Sequence, residues 1–307
     1  MITEILTPDE FSQSGLNLLN LAWSIGMEIA HEFEGAELAE WGDDLTDEYW
    51  RESQPALGNA IALVEQAQEM ALKGQIAAVS PYLLIGYEPR EWPRRCERED
   101  TPFSMFRTVD AADLIKIHNT VCHSSSRLGK DFAALFEEIR RQRNAIIHLG
   151  SAGKRMEVAE LILNVLLTNE HLYPGTNWAA RRLQYSQNDR LSVAYSTDHV
   201  GTLLLEEFDT AVRLLKSAQV KRFFGLTKAR RYLCPYCCYE AEHIDRLIRL
   251  AQLAPNSPSA TAVSCFVCGN ITTVERKVCT EKGCKSNVIC AEPDWGLICL
   301  VCGIEQD

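Results

Sequence analysis

Ten of the twelve cysteines lie after residue 230, and eight of them constrain that part of the chain more than any other feature. They form four short-range pairs: Cys234-Pro-Tyr-Cys237, Cys265-Phe-Val-Cys268, Cys279-x4-Cys284 and Cys299-Leu-Val-Cys302. A Cys-x-x-Cys turn aims two thiolates at one ion, and a tetrahedral zinc takes four such ligands. Two pairs therefore close one structural site, and four pairs close two. Pairing in sequence order puts Cys234, Cys237, Cys265 and Cys268 on one zinc and Cys279, Cys284, Cys299 and Cys302 on the other. A cross-braced arrangement, first pair with third, satisfies the same spacing. Cys238 and Cys290 are left over, and Cys290 is an alternative to Cys284. Disulfides are the competing use of so many cysteines, and free buried thiols a third. The start, "MITEILTPDEF", has neither the basic nor the apolar region of an export signal, so the expectation is metal knuckles in a cytoplasmic protein.

The cysteine pattern resembles tandem zinc ribbons. That resemblance implies binding of nucleic acid or of a protein partner, and a site with all four ligands from protein leaves zinc no open position for catalysis. A basic run, "KARRY" (Lys228 to Tyr232), stands just before the first knuckle and points toward nucleic acid.

The rest of the chain has a different texture. Apolar residues recur at helical spacing in Ser14–Phe33, Ala56–Val79, Asp131–Gly150, Arg155–Leu172 and Val200–Phe224, with no convincing alternating strand. The expected fold class is mainly α, a helical bundle over residues 1–225, followed by a small zinc-ribbon module with short β-strands over 226–307. The segments Tyr82–Asp110 and Tyr173–Thr197 read as loops. With 307 residues and 46% hydrophobic content the chain can bury a sizeable core, and no run of apolar residues is long enough to cross a membrane. The net charge of −11 falls entirely on residues 1–225, which hold 22 basic and 33 acidic side chains. Broad attraction to nucleic acid is excluded there, and any RNA contact must use local clusters such as Arg140, Arg141 and Arg143, or Arg181 and Arg182.

One helical segment breaks its own period. In "LFEEIRRQRNAIIHLG", Phe132, Phe136, Ile139, Arg143 and Ile146 recur at packing-seam spacing, so Arg143 takes a position that calls for an apolar side chain. A guanidinium buried without a partner costs several kcal/mol, so the seam must meet a carboxylate, a second subunit or a wet groove there. Glu65, projecting among Ile61, Leu72 and Ile76, is the expected partner, with Glu69 at the edge of the same face and a planar approach giving bidentate geometry. Asn144 and His148 share a face about 100–140° around from Arg143, at 100° per residue. Two copies of the helix across a twofold axis would bring two Arg143 and two His148 into one cleft, which predicts a homodimer.

Arg143-Asn144-x3-His148 resembles the Arg-x4-6-His motif of HEPN domains, including the polar residue after the arginine. "LVEQAQEMALKGQIAAVSPYLL" resembles the second helix of that superfamily, with Glu69 and Lys73 at its acidic and lysine positions, and the likeness covers roughly residues 14–220. It implies a metal-independent endoribonuclease acting as a dimer, of the kind found among toxins and antiviral defence proteins. His148 would move a proton at the ribose 2′-hydroxyl or the leaving oxygen, Arg143 would stabilise the phosphorane-like transition state, and Asn144 would orient phosphate or imidazole. Glu65 and Glu69 would be supporting residues, RNA the substrate, and the ribbons the place where substrate or a trigger is recognised. The alternative is a non-catalytic dimeric adaptor that binds nucleic acid or a protein through its ribbons.

"HNTVCHSSSR" brings together His118, Cys122 and His123 but offers no fourth metal ligand. His31, His171, His199 and His243 stand alone and read as surface or satisfied core histidines. No phosphate-binding glycine loop and no serine nucleophile elbow is present.

Overall fold

The structure, a computed structural model, describes residues 1–38, 42–86, 88–149, 155–188, 197–241 and 247–306. The chain is mostly helical, with a small antiparallel sheet near its C-terminal end, and divides into two compact units, 1–175 and 176–307.

The first unit is built on two long helices, α1 (Pro8–Leu38) and α2 (Asp43–Ala77). α1 starts earlier than its apolar period suggests because Thr7 and Glu10 close a capping box. The Glu10 carboxylate accepts from the Thr7 N–H at 2.7 Å, and the Thr7 hydroxyl accepts from the Glu10 N–H at 3.2 Å. α2 runs through Pro55, where a helix start was expected one residue later. Proline forfeits one backbone hydrogen bond there. Contacts ahead of it hold the turn: the Tyr49 hydroxyl donates to the carbonyl of Ile29 at 2.6 Å, and Trp50 packs on Phe33 with ring centres 4.7 Å apart. The two helices run antiparallel and close. A Cβ added at Gly15 of α1 would meet the Tyr173 hydroxyl at 2.2 Å and the Ala67 carbonyl of α2 at 3.0 Å.

Three further helices complete this unit: α3 (Ala111–Val121), α4 (Lys130–Leu149) and α5 (Val158–Leu172). α4 lays Phe132, Phe136 and Ile139, all essentially without exposure, against the core, and α5 crosses both long helices, with Gln68 of α2 donating to Thr168 at 2.9 Å. A short parallel pair, β1 (Ile2–Thr3) with β2 (Thr101–Pro102), ties the chain start to the connection before α3.

The second unit starts well before the change of texture near residue 226. α6 (Trp178–Asn188) falls in a segment read as loop, and the run expected as one helix over 200–224 is two: α7 (Thr197–Leu214) and α8 (Ser217–Phe224). The unit boundary therefore differs from the expected 225/226 division. Phe208 of α7 and Phe224 of α8 pack on Phe266 of the ribbon segment at 5.3 and 4.8 Å, so these helices share one core with the cysteine module. α6 is held to α7 by a buried bidentate pair, Arg182 to Glu207, at 2.9 and 2.7 Å. Arg182 is therefore withdrawn from the basic cluster that was a candidate for RNA contact. After α9 (Pro235–Glu240) come β3 (Ala251–Leu253), β4 (Ala262–Cys265), β5 (Ile271–Glu275) and β6 (Ile289–Cys290). They form an antiparallel sheet in that order, with Ala251 opposite Cys265 and Val274 opposite Cys290.

The close approach of α1 and α2 predicts opposite effects for two glycines of one helix. Gly15→Ala should destabilise the first unit by about 1–3 kcal/mol through overpacking. Gly35→Ala, which meets nothing within 4 Å, should stabilise it by up to about 1 kcal/mol through helix propensity. Thermal melting of the two variants checks this; shifts of the same sign would refute the packing argument.

Candidate functional site

The cysteines are brought together as sequence order suggests. Cys234, Cys237, Cys265 and Cys268 form one group, and Cys279, Cys284, Cys299 and Cys302 the other, each with its sulfurs within 4.8 Å of one another. The cross-braced alternative does not occur. Neither does replacement of Cys284 by Cys290, which is fully buried on β6, where burial pushes its thiol above its ordinary range. A tetrahedral ion bound by thiolates at ~2.3 Å sets sulfur–sulfur edges of about 3.8 Å. The observed contacts are 3.6 Å for Cys234–Cys268, 3.7 Å for Cys237–Cys265, 3.7 Å for Cys279–Cys302 and 3.9 Å for Cys284–Cys299. These lengths suit a metal cage and are far too long for disulfides, whose S–S bond is about 2.05 Å. The residue after each of two Cys-x-x-Cys pairs is a left-handed glycine, Gly269 (φ 74°) and Gly303 (φ 75°). Each turns its N–H back onto the carbonyl of the first cysteine of its pair, Cys265 at 3.1 Å and Cys299 at 2.8 Å, which reverses the chain so that both sulfurs face inward. Among the described residues these two groups are the clusters able to hold a metal.

Arg143 is half-buried on α4, one turn beyond Ile139 on the same seam. Its Nε lies 3.8 Å from Oε2 of Glu65 on α2, and its Nη1 donates to the side-chain oxygen of Asn144 at 2.9 Å. The carboxylate partner is the expected one, but the bidentate geometry is not seen. The contact is a single long ion pair, and neither of its two facing atoms, both out of solvent, has a hydrogen-bond partner. Burial therefore outweighs attraction at Glu65. Its carboxyl is pushed up to about 7, first by burial and then by the neighbouring Glu69, against the opposing pull of Arg143 and Arg140. Glu69, one turn further along α2, pairs with Lys73 at 3.3 Å. Arg143, Glu65, Glu69 and Lys73 thus stand in a row, with two neighbouring carboxyl groups between two cations. Arg140 and Arg141 are paired with Glu137 and Glu138 at 3.0 and 2.6 Å, so the local basic cluster on α4 is largely compensated. His148 belongs to α4, but its side chain lies outside the described residues, as do the side chains of His199 and His243.

The histidines set aside from the sequence are brought together by folding. His118, Cys122, His123 and His171 line one cavity of about 540 Å³ in the first unit. They hold no ready metal site. Both ring nitrogens of buried His118 are occupied, Nε2 by Gln75 at 2.7 Å and Nδ1 by Asn119 at 3.1 Å. His118 is a satisfied core histidine.

Two measurements test these sites. A carboxyl whose folded-state pKa lies above its unfolded value holds its proton more tightly in the fold, so its stabilising contribution is greatest in acid and is lost as pH rises from about 4.5 toward 7. Glu65→Gln should therefore gain stability over wild type as pH rises, by about 1–2 kcal/mol at pH ~8, and a pH-independent difference in melting temperature would show that Glu65 titrates normally. Metal analysis should find about two ions per chain in wild type and about one in Cys265→Ser, and a value near zero in wild type purified without chelator would remove both cages. No protein-family model, curated protein or solved structure matches this chain, so its function must be argued from these residues.

Proposed function

We propose that the first unit is a HEPN-type, metal-independent endoribonuclease that works as a homodimer, with a setting in toxin action or antiviral defence, and that the two cysteine cages hold structural zinc. The observation that carries the reading is Arg143, a charged side chain on a core seam, with its Nε 3.8 Å from Glu65 and its Nη1 hydrogen-bonded to Asn144 at 2.9 Å. A packing position is a costly place for a guanidinium, and held there with one edge engaged it presents its remaining N–H groups in a fixed direction. In this reading His148 removes the proton of a ribose 2′-hydroxyl, and the resulting oxygen attacks the adjacent phosphorus. Arg143 stabilises the charge that gathers on the phosphoryl oxygens, and Asn144 orients the arginine. The 5′-oxygen leaves and takes up a proton, giving a 2′,3′-cyclic phosphate and a 5′-hydroxyl. DNA lacks the attacking group and would survive. Glu65 and Glu69 act by positioning, and the zinc sites hold the ribbons in shape.

One observation favours the non-catalytic adaptor. The α4 face beside Asn144 is charge-compensated by Glu137 and Glu138, as suits a dimer contact at least as well as an RNA surface. Incubation of the protein with total RNA in chelator separates the two. Cleavage to cyclic-phosphate ends in wild type, lost by at least about 100-fold in both Arg143→Ala and His148→Ala, is the expected result. Equal behaviour of all three proteins, with folding verified after chelation, would refute the nuclease and leave the adaptor.

A further inference from the structure

The ribbon unit contains a groove of about 420 Å³ whose charge is one-sided. It is lined by Lys228, Arg230, Arg231, Arg249, Arg276 and Lys285. Six of the nine cations after residue 225 meet in this one place, and among the described residues no carboxylate lines the groove. In a chain of net charge −11 this concentration is local, and it could not be read from composition.

Most of these cations are oriented by neutral acceptors, which fix their position and leave their charge uncompensated. Lys228 donates to the carbonyls of Arg213 and Leu215 at 2.8 and 2.7 Å, Arg249 to the carbonyl of Val301 at 2.8 Å, and Arg230 to the side-chain oxygen of Asn256 at 2.8 Å. Among the described residues, Arg231 alone of the six has a carboxylate partner, Asp209 at 3.2 Å. Arg276 is the most exacting member. One of its nitrogens donates to Asn287 at 2.8 Å, while Nε and Nη1 are withdrawn from solvent with no acceptor. The crowding is felt at Lys228, whose ammonium is held below its usual range by burial and by the charge of Arg231. A concave surface that focuses positive potential in this way draws an anion with several charges, and guanidinium forks suit phosphate oxygens.

We propose that this groove grips the phosphodiester backbone of single-stranded RNA, independently of base sequence. A backbone with a charge at every nucleotide can meet cations from two stretches of the chain, Lys228, Arg230, Arg231 and Arg249 around the first cysteine pair and Arg276 and Lys285 around the third. No aromatic side chain of the groove is exposed to stack a base, since Tyr232 is buried. The choice of RNA over other phosphodiesters rests on the nuclease reading; the groove itself does not.

Arg230 and Lys285 are exposed, so reversing their charge leaves the core and the cages intact. The experiment measures anisotropy of a labelled, 2′-O-methylated single-stranded RNA with the full metal-loaded chain across a salt series. Binding is read without cleavage, so the result stands whether or not the protein is a nuclease. Arg230→Glu/Lys285→Glu should bind at least about tenfold more weakly, with the slope of log affinity against log salt reduced by about 1.4, at ~0.7 per lost phosphate contact. Lys221→Glu/Lys282→Glu, with the same change of charge outside the groove, should bind as wild type does. Equal loss in both double variants, an unchanged slope, or equally tight binding of an acidic peptide of matched charge would overturn the proposal. Metal content and melting temperature equal to wild type establish that the variants are folded.

Discussion

The first unit depends on the burial of α2 on more than one side. A helix packed against α1, α4 and α5 can keep a polar residue inward only if a neighbour answers it, and α2 carries several. Gln68 is met by Thr168, Gln75 by His118 and the carbonyl of Leu172, and Glu65 by Arg143. The first two are hydrogen bonds of 2.7–2.9 Å that fix how the helices pack, although the Gln68 side-chain oxygen is left without a partner. The third is incomplete, with two buried atoms facing each other at 3.8 Å and a carboxyl near its titration midpoint at neutral pH. Stability alone would favour an apolar pair at this crossing. A charged pair retained at a packing seam is the kind of local conflict that marks a functional position.

The second unit answers a different constraint. Its strands are two to five residues long, too short to build a core from sheet packing alone, and the two cysteine groups are placed where bound metal would cross-link them. Helices α7 and α8 add the aromatic contacts to Phe266. In the basic groove of this unit Lys228 and Arg249 are positioned by backbone carbonyls and Arg230 and Arg276 by asparagine side chains, none of which cancels their charge.

Much of this was legible in the chain because it is local. The Cys-x-x-Cys-Gly spacing fixes a knuckle through the left-handed glycine and needs no distant partner. The seam position of Arg143 follows from helical period alone, and the thiol groups pair in sequence order. The capping box at Thr7 and Glu10 was present in the sequence as well and marks the true start of α1. The helical run expected from Ala56 extends back through Pro55 to Asp43, where Trp50 packs on Phe33 and the Tyr49 hydroxyl bonds the carbonyl of Ile29 on α1.

By itself, then, the sequence determined the helical character of the larger part, the grouping of the cysteines in the smaller, and the anomaly at Arg143, all consequences of periodicity and short spacing. Only the tertiary structure decided that the helices after residue 175 belong with the ribbons, that Arg182 is bound to Glu207, that Glu65 meets Arg143 at one long contact, and that six scattered cations line one groove. Each of these depends on which distant side chains are left facing one another once the apolar surfaces have been buried. That outcome is set by packing between elements, which no local pattern encodes.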